Sequence, residues 1–249
     1  MEQAGFAVRL EWGREGARAA AVRRDLIVVV DVLRFTSAVT TAVHCGLAVV
    51  PCAEGEDEMA LSAELGIRLP DPWDQAARRA GLSPRTYVHR AAGERILLPS
   101  PNGATCARCA RTARAVFAGS LLNATAVARA VRAELAAAPG PVTVVACGER
   151  NFPLSAGGDG GLRFALEDYL GAGAVLAELP GPLSPEAVVC ARSFSSSRGD
   201  LEVLLLDCAS GRELISKGLG EDVPFCAQLD VFPTAPVLRE GMFTAPDRG

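Results

Sequence analysis

Short apolar runs alternate with longer helix-like segments along this chain. In the clearest run, 27–30, every residue is a β-branched isoleucine or valine, which is typical of a strand buried on both faces. The same pattern predicts strands at 25–33, 47–53, 95–100, 115–119 and 142–147. It predicts helices at 36–45, 55–65, 103–113, 123–137 and 163–178. Strands that alternate with helices indicate an α/β fold with a largely parallel or mixed central sheet.

Three segments depart from the alternation. The glycine-rich stretch 149–161 predicts a loop, and 180–198 is punctuated by proline, serine and glycine. The stretch 222–233 contains two prolines, and we expect it to form an edge strand, where a missing N–H donor is tolerated. The Pro-Gly-Pro at 139–141 is too short for a linker, so we expect a single domain over 1–249.

The composition excludes several classes of protein. The chain is 49% hydrophobic and 22% charged, which is typical of a globular protein and not of a disordered one. A net charge of −4 without a basic stripe argues against nucleic acid as a partner. No segment has the apolar length of a membrane span, and the first residues lack the features of a signal peptide. We therefore expect a cytoplasmic protein with no membrane partner.

The end of the first predicted strand carries the most promising chemistry. Asp31 and Arg34 stand there, followed by the hydroxyls of Thr36 and Ser37 at the start of a helix. Open α/β sheets bind ligands at strand carboxyl ends, and helix amino termini favour anions. The alternative is structural: Asp31 could cap a turn and pair with Arg34, while Ser37 caps the helix.

Three further strand ends carry polar or glycine residues. Asn102-Gly103 forms a turn that opens a helix and could cradle an anion with its backbone N–H groups. Ser120 and Asn123 follow the next strand, although a plain helix cap explains them as well. Gly148 follows the last of these strands.

Two adjacent acids, Glu167 and Asp168, stand in an otherwise apolar helix. Adjacent helical residues point about 100° apart, so one of the two must face inward or lie at a boundary. Buried carboxylates generally pair or bind a metal. Histidine and lysine are scarce, with Lys217 the only lysine, so neither a Ser-His-Asp triad nor most lysine-based mechanisms are available.

Cys106 and Cys109 form a Cys-x-x-Cys pair. A zinc site needs a second pair at suitable spacing, and the sequence has none. The cysteines are therefore expected to fill the core, with a thiol or metal protein as a rival hypothesis.

Taken in order, these segments resemble the 2-phosphosulfolactate phosphatase family. The resemblance covers about residues 25–240 and is carried by seven segments. They are Asp31–Arg34, Gly81–Pro84, Ser100–Ala104, Gly119–Ala124, Ala146–Gly148, Leu166–Gly173 and Asp222–Ala227. No single segment is decisive, but seven in the right order are strong evidence.

The resemblance implies a three-layer α/β/α sandwich and Mg²⁺-dependent hydrolysis of a small phosphate monoester. The expected substrate is 2-phosphosulfolactate, on a route to coenzyme M, or a related 2-phospho-hydroxy acid. A homodimer is the base-rate expectation.

The residues expected to act fall into three groups. The catalytic group is Asp31, Arg34, Glu167 and Asp168. The substrate-binding group is Thr36, Ser37, Ser83, Asn102, Gly103, Ser120, Asn123 and Gly148. The Mg²⁺ ligands are Asp31, Glu167 and Asp168, and whether Asp31 is nucleophile or ligand stays open.

The sequence also departs from the family pattern. Ile67 replaces an acid, Leu82 an asparagine, and Pro101 and Ala104 replace threonines. We expect either retained phosphate chemistry on an altered substrate or partial loss of activity. The second outcome would leave an anion-binding protein that keeps the pocket without turnover.

Overall fold

A computed structural model describes residues 3–67, 69, 81–150 and 161–246. The strands are β1 (Val8–Trp12), β2 (Leu26–Val30), β3 (Ala48–Cys52), β4 (Arg95–Pro99), β5 (Ala115–Gly119), β6 (Val142–Ala146), β7 (Glu149–Arg150), β8 (Leu162–Arg163), β9 (Val237–Arg239) and β10 (Met242–Thr244). The α-helices are α1 (Gly13–Val22), α2 (Phe35–His44), α3 (Glu58–Leu65), α4 (Gly103–Cys109), α5 (Ala124–Ala137), α6 (Leu166–Leu176), α7 (Pro185–Ser197), α8 (Leu201–Asp207), α9 (Ala209–Ser216) and α10 (Asp222–Cys226).

The main sheet has eight strands in the order β1-β6-β2-β5-β9-β10-β3-β4. Its first four strands are parallel to one another, and β3 is parallel to β4. Antiparallel pairings through the β9–β10 hairpin join these two blocks. The pairings β5–β9, β9–β10 and β10–β3 are all antiparallel. Strands β3 and β4 are therefore antiparallel to β2. β7 and β8 form a separate antiparallel pair.

Strand β2 shows why the sheet has helices on both faces. Its five residues are all buried, and they alternate between two apolar cores, as the two-residue period of a strand requires. Leu26, Val28 and Val30 pack with residues of α5, α6 and α7. Ile27 and Val29 pack with residues of α1, α2 and α4. The expected three-layer α/β/α sandwich with a mixed sheet is confirmed.

The five strands and five helices expected from the alternation are all present, with shifts at their ends. The expected edge strand at 222–233 is wrong: its first part is helix α10, and the edges of the main sheet are β1 and β4. Pro224 lies in the first turn of α10, where a helix tolerates the missing N–H.

The punctuated segment 180–198 also contains a helix, α7, which begins with Ser184 as N-cap and Pro185 at the first position. Both residues are typical helix starters. In the expected loop 149–161, Glu149–Arg150 pairs with β8, and 151–160 lie outside the described residues.

No helix in the described ranges is long and apolar enough to span a membrane. The expectation of one domain over 1–249 stays a prediction.

We expect Val28→Ala to lower the free energy of unfolding by about 2–3 kcal/mol, because Val28 is fully buried at the centre of the sheet and its loss leaves a cavity. The same substitution at Val203, which is 64% exposed, should change it by less than about 0.5 kcal/mol. Urea unfolding of both variants measures the difference. Equal losses would contradict the placement of β2 in the core.

Candidate functional site

Asp31 is held in a fixed position directly after β2. Its Oδ1 accepts the backbone N–H of Phe35 at 3.1 Å, at the start of α2. Its Oδ2 accepts the backbone N–H of Gly103 at 2.8 Å and lies 3.4 Å from the Ser100 hydroxyl. The side chain therefore joins the end of β2 to the turn after β4.

Gly103 is required for this contact. A Cβ added at this position would lie 2.6 Å from Oδ2 of Asp31 and 2.3 Å from Cδ1 of Phe35. Such distances are well inside van der Waals contact, so only glycine lets the backbone of α4 approach the carboxylate. The sequence predicted that the backbone N–H of Gly103 binds an anion. In the structure this N–H donates to the Asp31 carboxylate of the protein itself.

Asp168 is fixed in the same way from the other side. Its Oδ1 accepts the N–H of Val32 at 2.8 Å, and its Oδ2 accepts the N–H of Gly148 at 2.9 Å. Gly148 has a φ of +65°, a conformation that glycine adopts without strain. Asp168 thus joins the first turn of α6 to the ends of β2 and β6.

Glu167 is also buried, and its Oε2 accepts the thiol of Cys208 at 3.4 Å. Both acids of the pair therefore point into the protein, whereas the sequence argument required only one to do so. Glu149, in β7, is half-buried and receives a hydrogen bond from the Asn102 side chain. We call Asp31, Glu149, Glu167 and Asp168 the carboxyl cluster.

The members of the carboxyl cluster perturb one another. Burial raises the pKa of Asp31 from 3.8 to about 7, with further increases from Glu149 and Glu167, and the two N–H donors oppose the rise. Burial, followed by the charges of Asp31 and Glu167, raises the pKa of Asp168 well above its ordinary value. Burial also raises the pKa of Glu149. Such perturbed groups gathered at one place are typical of functional sites.

Arg34 is buried in the loop between Asp31 and α2. Its Nη1 donates to Oδ2 of Asp222 in α10. Oδ1 of Asp222 accepts the Ser83 hydroxyl at 2.5 Å. Ser83, expected to contact substrate, therefore contacts the partner of Arg34.

Four other residues expected to bind substrate make hydrogen bonds within the fold. The Thr36 hydroxyl donates to the carbonyl of Asp31, and the Ser37 hydroxyl donates to that of Val32. Ser120 and Asn123 form a reciprocal cap, and the Asn123 amide donates to Thr234 and Ala118 carbonyls. All four side chains are fully buried, so their observed role is to fix the loops after β2 and β5.

The departures from the family pattern lie mainly in the core. Ile67 packs with Val50, Cys52 and Leu97 in a small apolar cluster. Ala104 is fully buried, and Leu82 packs against the core between the sheet and α2. Pro101 is the exposed one. Packing explains the replacements at Ile67, Leu82 and Ala104, whereas Pro101 lines a cavity together with Asn102.

The described residues contain no ready-made metal cage, meaning no arranged group of three or more His, Cys, Asp or Glu side chains. All eight cysteines are free. Burial raises the pKa of the Cys109 thiol, which is the opposite of what a reactive thiolate requires. Nothing in this geometry favours the thiol hypothesis for Cys106 and Cys109.

Sequence reasoning missed three residues of the site. Glu149 directly follows Gly148 at a strand end, and that position was a usable signal. Ser100 begins the turn that contains Asn102. Asp222 stands in one of the seven segments that resemble the family, but its pairing with Arg34, 188 residues away, had no local signal.

Residues 15–241 match the family model described as 2-phosphosulpholactate phosphatase. The chain belongs to this family. As a member of the 2-phosphosulpholactate phosphatase family it is an enzyme of the phosphoric monoester hydrolase class, as the sequence resemblance implied.

Several curated relatives support this membership, and each is named as a probable 2-phosphosulfolactate phosphatase. One from Gloeobacter violaceus is 32% identical over 237 residues, covering 88% of this chain and 92% of the relative. One from Symbiobacterium thermophilum is 33% identical over 227 residues, covering 86% and 91%. One from Thermus thermophilus is 34% identical over 233 residues, covering 86% and 88%.

We expect Gly103→Ala to lower the free energy of unfolding by about 1–3 kcal/mol, because the added methyl group overlaps Asp31 and Phe35. Gly199→Ala is the matched control, since a Cβ there meets nothing within 4 Å. Thermal unfolding of both variants measures the effect. A Gly103→Ala protein as stable as the control would show that α4 can move away from Asp31.

We expect the metal-free protein to lose stability as the pH rises from about 4 to 7. Folded Asp31 holds its proton up to about pH 7, whereas its ordinary pKa is 3.8. Between these values the folded state binds more protons than the unfolded state, so the free energy of unfolding falls with rising pH. The difference in pKa corresponds to about 4 kcal/mol.

Urea unfolding at a series of pH values in EDTA measures this dependence. Asp31→Asn should make it weaker, because one titrating group is gone while Asp168 and Glu149 remain, and Asp207→Asn, at an exposed site, should leave it unchanged. A stability that rises over this range in the parent protein would contradict the raised pKa of Asp31.

Proposed function

We propose that this protein uses the carboxyl cluster and Arg34 to hydrolyse the phosphate monoester of a small anionic 2-hydroxy acid. The first candidate substrate is 2-phosphosulfolactate. The observation that carries the proposal is Asp31, a buried carboxylate fixed by two backbone N–H donors beside three further carboxyl groups. Family membership supports phosphoester hydrolysis as the chemistry of this site.

The donor chemistry of the carboxyl cluster fits Mg²⁺. Mg²⁺ prefers hard oxygen ligands and usually takes only one or two carboxylates from a protein, with water and substrate phosphate completing its shell. A ready-made cage of three side chains is therefore not required. Asp31, Glu167 and Asp168 would supply the oxygens. A bound cation would offset the burial and the mutual repulsion that raise the pKa values of Asp31 and Asp168. Mg²⁺ would neutralise charge on the transferring phosphoryl group.

The protein's own residues would orient the ester. Arg34 offers guanidinium donors to phosphoryl oxygens, which it can bind in bidentate fashion. Asp31 stands where its fixed carboxylate can attack phosphorus or bind the cation, and these two roles remain alternatives. In the overall reaction the P–O bond to the hydroxy acid is broken. Water supplies an oxygen to the phosphate and a proton to the released alcohol.

A cavity of about 270 Å³ is of a size for a three-carbon ester, and one of its lining residues, Asn102, hydrogen bonds to Glu149 of the cluster. Its lining includes Asn102, Cys147, Arg14 and Arg150. Burial and the neighbouring Cys106 raise the pKa of the Cys147 thiol, and Asp31 and Asp168 are close enough for their charges to add to the rise. Both arginines contact the Glu54 carboxylate. Glu15 also lines the cavity and pairs with Arg14. A second anionic group of the substrate, such as a sulfonate or carboxylate, would therefore bind these guanidinium groups in place of their carboxylate partners.

We expect Asp31→Asn to lower kcat by at least about 10³-fold, because the variant removes the charge that either role of Asp31 requires. Asp207→Asn is the matched control and should retain full activity. Phosphate release from 2-phosphosulfolactate and a panel of small phosphate esters, with Mg²⁺ or with EDTA, measures the effect. Near-normal turnover by folded Asp31→Asn protein would refute the role of Asp31.

The same assay separates the proposal from its alternative. Mg²⁺-dependent release by the parent protein supports hydrolysis, and the best ester identifies the substrate class. Binding of 2-phosphosulfolactate by calorimetry without release from any ester would instead indicate an anion-binding protein that has lost turnover.

A further inference from the structure

Glu149 is the member of the carboxyl cluster that takes no part in the proposed binding of Mg²⁺. The residue before it donates its N–H to Oδ2 of Asp168 at 2.9 Å. Its own carboxyl accepts a hydrogen bond from the Asn102 side chain, and the residue after Asn102 donates its N–H to Oδ2 of Asp31 at 2.8 Å. The charge of Glu149 also raises the pKa of Asp31. Glu149 therefore lies between the two backbone segments that hold the aspartates.

The Asn102 amide fixes the Glu149 carboxyl beside the cavity described above. Oδ1 of Asn102 accepts the N–H of Arg150 at 3.3 Å, so the amide nitrogen is the end that donates to Glu149. Asn102 also lines the cavity. The Glu149 carboxyl is thus one hydrogen bond away from a residue that borders the space proposed for the ester.

The other three acids of the cluster are suited to a different task. Asp31 and Asp168 each accept a backbone N–H at both oxygens, an arrangement that favours a fixed carboxylate. Glu167 is 3% exposed and accepts the thiol of Cys208. Glu149 is only half-buried, so its carboxyl can exchange a proton with water.

The groups that face Glu149 come from three further elements. Burial is the largest effect and raises the pKa of Glu149, while the Asn102 hydrogen bond lowers it. The charges of Glu213 in α9 and Glu167 in α6 raise this pKa further, and Arg163, the cross-strand partner in β8, lowers it. The net change is a rise, which is the direction that suits proton donation near neutral pH.

We propose that Glu149 is a further catalytic residue, the general acid that protonates the ester oxygen of the leaving alcohol. An alkyl phosphate needs such an acid because its alkoxide is strongly basic and leaves slowly without a proton. When the P–O bond breaks, its electron pair stays on the ester oxygen, which takes the proton of the Glu149 carboxyl. The carboxylate then recovers a proton from the water that supplies the new oxygen of the phosphate. This inference rests on the proposed function, and it applies to either role of Asp31.

The dependence of turnover on the leaving group tests this role. Glu149→Gln keeps the shape of the side chain and an acceptor for Asn102, but it carries no acidic proton. We expect it to lower kcat for 2-phosphosulfolactate by about 100-fold. On acetyl phosphate and para-nitrophenyl phosphate, whose leaving groups depart without protonation, the loss should be below about threefold. Glu221→Gln, at a position that is 80% exposed, is the matched control and should retain full activity on all three.

Two results with active parent protein would overturn the proposal. One is an equal loss on both classes of ester, because it would mean that Glu149 acts through its charge or through the fold. The other is full activity of Glu149→Gln on 2-phosphosulfolactate. Thermal unfolding checks that the variant is folded. If it is not, Glu149→Ala replaces it, because a half-buried position tolerates a smaller side chain.

Chemical rescue decides the matter if the parent protein hydrolyses only the alkyl ester. Formate added to Glu149→Ala should restore kcat for 2-phosphosulfolactate by about tenfold, because a small acid can occupy the space of the lost carboxyl. Chloride at equal ionic strength should restore nothing, and a formate effect no larger than that of chloride would overturn the proposal. A parent protein that hydrolyses no ester overturns the proposed function together with this role, whereas the results named above overturn the role of Glu149 alone.

Discussion

Two buried aspartates hold the strand ends of this protein together, and the rest of the site depends on them. Asp31 binds backbone N–H groups of Phe35 and Gly103, and Asp168 binds those of Val32 and Gly148. These four donors come from the segments that follow β2, β4 and β6. Each carboxylate is costly to bury, and the backbone donors offset part of that cost.

The same arrangement links stability to chemistry. Hydrogen bonds fix the geometry of Asp31 and Asp168, while burial and mutual repulsion raise their pKa values. A site with this unrelieved repulsion favours a ligand that brings positive charge, which is the physical basis for proposing Mg²⁺ there.

The sequence predicted much of the framework because its evidence was local. The β-branched run before Asp31 predicts a strand buried on both faces, and β2 is one. By contrast, the stretch 222–233 was expected to be an edge strand because of its prolines, and its first part is helix α10. Helix α7 was missed although Ser184 and Pro185 are ordinary starters. The sequence predicted that the Thr36 and Ser37 hydroxyls face a substrate. In the structure both donate hydrogen bonds to backbone carbonyls of the loop after β2.

The sequence by itself determined the α/β architecture, the acids at the strand ends and the resemblance to the family, because each is a matter of residue order. Only the tertiary structure decided which groups meet. It brought the Gly103 N–H to the Asp31 carboxylate, although β4 and β2 are antiparallel strands. It also paired Arg34 with Asp222, which are 188 residues apart in the sequence. Such contacts depend on how distant segments pack, and no local pattern encodes that packing.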